Sequence, residues 1–128
     1  MGDYLMSLIK CNDIQNASGG IPTVKSQQLI PTAWVNFNGR DFPTIVIRDS
    51  EGISSITDFA TGTYLVNFAT AMANTNYSAT ATSQRAVTWA NGGVDANTFT
   101  TTNFKLENVE NSTGADTPTF SVQVMGGQ

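Results

Sequence analysis

Trp89, Asn91 and Asp95 come closest in this sequence to a set of residues with chemistry of its own. An indole offers a flat apolar face to a sugar ring, and an amide and a carboxylate beside it supply hydrogen bonds at the ring's polar edge. That is recognition of a glycan by noncovalent contact. The same stretch has a structural reading, with Trp89 in a core and Asn91-Gly92-Gly93-Val94-Asp95 a turn whose glycines supply positive φ cheaply. The second tryptophan, Trp34, stands in an alternating segment and is expected to pack between sheets or subunits.

The carboxylates Asp41, Asp49, Glu51 and Asp58 raise two further chemistries. A glycosidase needs two carboxyl groups held about 5–9 Å apart across a cleft. A calcium site needs several carboxylate and carbonyl oxygens converging on one ion. Asp49-Ser50-Glu51-Gly52 lacks the EF-hand spacing, so solvated loops are expected, with Asp58 capping a turn. The chain has no histidine, which removes the proton shuttle of a Ser-His-Asp or Cys-His engine. One cysteine without histidine also excludes the common zinc sites. Cys11 cannot close an internal disulfide and reads as a small packing residue. No catalytic residue, metal site or cofactor is expected, and the chain does not read as an enzyme.

The charge balance narrows the partners. Lys and Arg number 6 and Asp and Glu 10, for a net charge of −4, and only 12% of residues are charged. Neutralising a phosphate backbone takes clustered Lys and Arg, so nucleic acid is not an expected partner. No apolar run approaches the roughly 18 residues of a membrane span, and no membrane insertion is expected. The dominant polar residues are instead 18 Thr, 12 Asn and 10 Ser among 128. Their hydroxyls and amides give donors and acceptors without the desolvation cost of charge. That chemistry suits weak binding of neutral or anionic sugars.

The elements that must position these groups are strands. Ala33, Val35 and Phe37 share one face of a segment whose other face is Trp34, Asn36 and Asn38, ending at Asn38-Gly39. Ile45 to Arg48 forms a short apolar strand, and Ile53 and Ile56 flank a serine pair. Tyr64, Val66 and Phe68 alternate with Leu65, Asn67 and Ala69; Tyr77, Ala79 and Ala81 alternate with Ser78, Thr80 and Thr82. Val87 and Trp89 alternate next. Phe99 and Phe104 sit at odd spacing, which predicts two registers or a bulge. Phe120, Val122 and Val124 close the series, and one helical turn is expected around Ala71 to Asn74. Regularly spaced strands with turn residues between them predict an all-β fold, an antiparallel β-sandwich over residues 32–128.

Residues 1–31 differ. Tyr4 to Ile9 is apolar on both alternating faces and reads equally as helix or strand over residues 1–12. Pro22 and Pro31 bracket a polar connector with one short strand around Ile21 to Lys25. Leu5, Leu8 and Ile9 need a partner to bury them, so this is a short N-terminal docking and trimerisation segment. The thin apolar inventory, with 12 alanines, also favours help from neighbouring chains.

Three stretches then resemble a known domain in order and spacing. They are Ala33-Trp34-Val35-Asn36-Phe37-Asn38-Gly39, Ile53-Ser54-Ser55-Ile56-Thr57-Asp58, and Gly62 through Met72 followed by Asn76-Tyr77. Leu8-Ile9-Lys10 and Ile14 through Gly20 precede them, and Phe120 through Val124 fits the last strand. Together they resemble the β-rich tip domain at the C-terminal ends of tail fibre proteins of tailed bacteriophages; residues 83–97 depart from the pattern. The resemblance implies a virion component, assembled in the bacterial cytoplasm and homotrimeric, that touches the host surface. It implies docking to phage tail or baseplate proteins through the N-terminal segment and multivalent binding of host surface polysaccharide. Many such fibres carry a long shaft, of which this sequence has almost none. The alternative reading is a structural head fibre or capsid decoration protein.

Overall fold

The computed structural model describes residues 17, 19, 23–24, 27–28, 30–41, 43–84, 90–110 and 113–128. The chain divides into two units, Met1–Ile30 and Pro31–Gln128. In the first, β1 (Thr23–Val24) and β2 (Gln27–Gln28) form a small antiparallel pair, Thr23 opposite Gln28. The sequence pointed to the first of these strands alone. Leu5, Leu8, Ile9 and Cys11 lie outside the described residues.

The second unit is an antiparallel β-sandwich. Its strands are β3 (Ala33–Asn38), β4 (Val46–Glu51), β5 (Ile53–Ala60), β6 (Thr63–Phe68), β7 (Tyr77–Ser83), β8 (Ala90–Asp95), β9 (Asn103–Glu110), β10 (Thr113–Gly114) and β11 (Phe120–Gly126). One sheet has the order β4-β3-β11-β7. The other runs β10-β9-β6-β5, with β8 on the free side of β9. A single 3-10 turn at Ala96–Thr98 follows β8.

The alternation read from the sequence decides which residues meet between the sheets. Ala33, Val35, Phe37, Phe120, Val122 and Val124 line one inner face; Tyr64, Val66, Phe68, Phe104 and Leu106 line the other, all buried. Phe37 stacks on Phe120 at 5.4 Å, and Tyr64 meets both edge-on. A second aromatic group joins Phe68, Tyr77, Phe99 and Phe104. Each large apolar side chain buried this way contributes roughly 1.5–3 kcal/mol.

Gly52 carries the chain from one sheet to the other. Its φ of 69° lets β4 leave Ser50 and Glu51 opposite β3 and begin β5 at Ile53 opposite Phe68. A Cβ there would lie 3.1 Å from the Ala33 side chain and from the Thr32 carbonyl. Ile53 and Ile56 are three apart yet both buried, because the register shifts between Ile53 and Ser55. The extra residue of this bulge returns the second isoleucine to the core.

Four local expectations are corrected. Asn91-Gly92-Gly93 is strand rather than turn: it pairs with Val109, Asn108 and Glu107 of β9. Ala71 to Asn74 makes no helix, since the Met72 and Ala73 amides donate to the Thr101 and Gly127 carbonyls across the loop. Phe99 and Phe104 belong to no common strand. A loop separates them, in which Phe99 stacks on Tyr77 at 4.4 Å. Asp58 is an exposed residue within β5 and caps no turn.

Two buried phenols give the fold a pH dependence. Burial pushes Tyr77 up to about 12, and its hydroxyl donates to the Thr100 carbonyl at 2.9 Å. Tyr64 is raised further, by burial first and then by Asp116, whose Oδ1 lies 3.0 Å from its hydroxyl. In the unfolded chain both ionise near 10. The unfolded state therefore loses protons first, so the two tyrosines' contribution to stability is full below about pH 10 and is lost as pH rises toward the folded values. Urea unfolding followed by circular dichroism should show a loss of about 1.4 kcal/mol per pH unit for each tyrosine in that window. Tyr77→Phe should remove one tyrosine's share of that slope.

Candidate functional site

The alternation that buries Val35 turns Trp34 and Asn36 to the outer face of the β4-β3-β11-β7 sheet. Trp34 is half-buried there, neither between the two sheets nor in the core. Of the two expectations for it, packing between sheets or between subunits, this corrects the first. Antiparallel register then fixes its neighbours. Glu51, Trp34, Gln123 and Thr80 form one row across four strands, and Asp49, Asn36, Ser121 and Thr82 form the next. With neighbouring strands about 4.8 Å apart, each row is about 14 Å long, and the rows lie about 7 Å apart.

Trp34, Asn36, Thr80, Thr82, Ser121 and Gln123 line an open groove of about 470 Å³. Part of its lining is fixed by hydrogen bonds. Asn36 Nδ2 donates to Ser121 Oγ at 2.8 Å and to the Phe120 carbonyl at 3.2 Å. Asn36 Oδ1 accepts from Arg48 at 3.3 Å. The Arg48 guanidinium also donates to the Pro118 carbonyl at 2.6 Å and to Thr119 Oγ1 at 3.2 Å, tying edge strand β4 to the turn before β11. Among the described residues, the side chains of Thr80, Thr82 and Gln123 make no hydrogen bond, so their polar atoms are open to a ligand. The groove thus joins an aromatic plate, a rigid amide-hydroxyl pair and three unengaged polar groups. It can hold a flat, hydroxylated ligand but contains no nucleophile with a base beside it.

Of the residues first singled out, Asn91 and Asp95 do not line this groove. Trp89 lies outside the described residues. Asn91 and Asp95 occupy β8 of the other sheet, opposite Val109 and Lys105. The Asp95 carboxylate accepts from the Asn97 amide at 3.1 Å and its carbonyl from Thr98 Oγ1 at 2.6 Å, which holds the 3-10 turn. Among the carboxylates, Asp41 accepts from Asn38 Nδ2 at 2.7 Å, and Asp49 accepts from the Ser50 amide at 2.9 Å. No group of three possible metal-ligating side chains occurs among the described residues. A second open cavity, of about 390 Å³, lies at Gly52, Met72 and Gly127, with Thr32, Thr70 and Gln128 as its polar side chains.

The sequence held a signal for the Trp34 groove. Trp34 alternates with three inward residues and shares its face with Asn36 and Asn38, so a polar face carried the indole. The neighbours contributed by β7 and β11 come from register, which local sequence does not specify.

Comparison of the chain with protein-family models, with curated proteins and with solved structures gives no match.

Proposed function

We propose that this protein is the receptor-binding tip of a tailed-phage tail fibre, a noncatalytic virion component that attaches the particle to glycans on the host surface. The observation that carries this reading is the Trp34 groove on the outer face of β3, β11 and β7. A sugar ring presents apolar C–H groups on one side and hydroxyls at its rim. Trp34 suits the first, and Asn36, Thr80, Thr82, Ser121 and Gln123 suit the second. Two rows crossing three strands, about 10 Å each, match about two sugar rings rather than a single one. Support for a phage role comes from the ordered resemblance of Ala33–Gly39, Ile53–Asp58 and Gly62–Met72 to fibre tips.

A shallow groove open to water gives weak affinity per copy, because each hydroxyl bond replaces one already made to water. A homotrimer docked on the tail through Leu5, Leu8 and Ile9 would present three grooves at once. Avidity then exceeds single-site affinity by about 10²–10⁴ when the spacing permits simultaneous contact.

The test is to pass the purified protein over immobilised bacterial envelope polysaccharides and to assay the supernatant for new reducing ends. Binding without release of reducing ends is expected. Release would contradict the noncatalytic reading, and failure to bind any envelope polysaccharide would contradict attachment through glycans.

A further inference from the structure

On the edge strand β4, beside the groove's lining, the chemistry changes. Glu51 stands directly opposite Trp34, and Asp49 directly opposite Asn36, on the same outer face. Opposed residues of an antiparallel pair have Cβ atoms about 4.5–5.5 Å apart, so Glu51 stands beside the indole and Asp49 one row away, both on the strand next to the groove's lining. Both residues are exposed. The nearby cation, Arg48, is already engaged by Pro118, Thr119 and Asn36, and its fork is not free to clasp a ligand's carboxylate.

We infer that the groove selects glycans by charge: the sugar over Trp34 is neutral or carries an amino group, and uronic acids are rejected at that position. The inference rests on the glycan-binding reading and narrows it. The mechanism is Coulombic. A ligand carboxylate at the indole meets the charges of Asp49 and Glu51 against the single charge of Arg48, which its neutral acceptors do not cancel, so its binding is disfavoured on the order of a few-fold in a partly solvated groove. A protonated amine in the same place gains from the same pair. Because the carboxylates are exposed, the discrimination must weaken as salt rises and the Debye length falls to about 8 Å and below. Thr80, Thr82 and Gln123, at the opposite side of the groove, are uncharged and add nothing to this selection.

The experiment uses the full chain on an array of matched oligosaccharides in hexose, 2-amino-hexose and hexuronate forms, at pH 6 and low salt. Binding to the hexose and amino-hexose forms is expected, with the hexuronate forms about threefold weaker or more. The double variant Asp49→Asn, Glu51→Gln should close that gap or invert it, because Arg48 then stands beside Asn36 without the two carboxylates. Hexuronates bound as tightly as their neutral counterparts by the unaltered protein would overturn the charge selection while leaving glycan binding intact. A gap that the double variant does not narrow would overturn it as well. Binding to no class of sugar would overturn both this inference and the reading beneath it.

Discussion

Gly62→Ala should cost about 3–5 kcal/mol and lower the melting temperature by roughly 10–20 °C, the largest effect expected of any single methyl group in the sandwich. Three physical reasons act together. The residue has φ of 72°, a conformation that strains any side chain by about 1–3 kcal/mol. A Cβ there would overlap the Ala115 amide nitrogen and stand 2.5 Å from the Asn108 carbonyl oxygen, both backbone atoms that cannot rotate aside. Moving the turn away would break bonds that converge on it. The Gly62 amide donates to Asp116 Oδ1 at 2.7 Å, and its carbonyl accepts from the Asn108 amide at 2.7 Å.

Asn108 then transmits the damage. It is buried, donates from Nδ2 to the Ala115 carbonyl at 2.6 Å and accepts at Oδ1 from Ser83 of the opposite sheet at 2.9 Å. Each buried polar group left without its partner costs about 1–3 kcal/mol. The control is Gly93→Ala. That glycine has no positive φ, and nothing lies within 4 Å of its added carbon, so a change within about 0.5 kcal/mol is expected. Thermal unfolding of the two variants side by side makes the comparison. Equal melting temperatures would mean that the Gly62 turn is not the junction described.

Much of the sandwich was legible because inward and outward residues alternate without interruption in β3, β6, β7 and β11. Tyr64, Val66 and Phe68, or Phe120, Val122 and Val124, leave one face to bury and one to wet, and a period of two permits no other sheet assignment. Where a stretch lacks side-chain contrast, the reading failed. Asn91-Gly92-Gly93 has turn residues but lies along β9, whose free edge supplies its hydrogen bonds. No local feature of Asn91, Gly92 or Gly93 announces that edge. Ala71 to Asn74 has residues compatible with a helical turn, yet its donors are taken by Thr101 and Gly127, distant in sequence.

The binding face was half legible for a related reason. Trp34 and Asn36 are neighbours on one strand, and their shared face follows from alternation. Thr80, Thr82, Ser121 and Gln123 join them only because β11 inserts between β3 and β7, a topological fact that no local pattern encodes. Trp89 has an amide and a carboxylate near it in sequence, whereas sheet register assembles the Trp34 groove from residues about 40–90 positions apart.

Trp34→Ala should abolish most of the affinity for a bound glycan while leaving the fold intact. The indole is the one large apolar surface in a groove otherwise lined by hydroxyls and amides, and hydroxyl bonds formed in competition with water contribute little each. Truncating a central tryptophan in a binding site costs about 2 kcal/mol or more, or roughly thirtyfold in affinity. Because Trp34 is half-exposed on the outer face, its removal opens no cavity between the sheets, and the core of Val35, Phe37, Phe120 and Val122 is untouched. Trp89→Ala is the matched comparison, since it removes the other indole of the chain.

The most direct measurement is the affinity of these two variants and the unaltered protein for the same envelope oligosaccharide, by isothermal titration calorimetry. A loss of about thirtyfold or more for Trp34→Ala, with Trp89→Ala within a few-fold of the unaltered protein, is the result predicted here. Undiminished binding by Trp34→Ala, or a loss confined to Trp89→Ala, would contradict a glycan site on the β3-β11-β7 face.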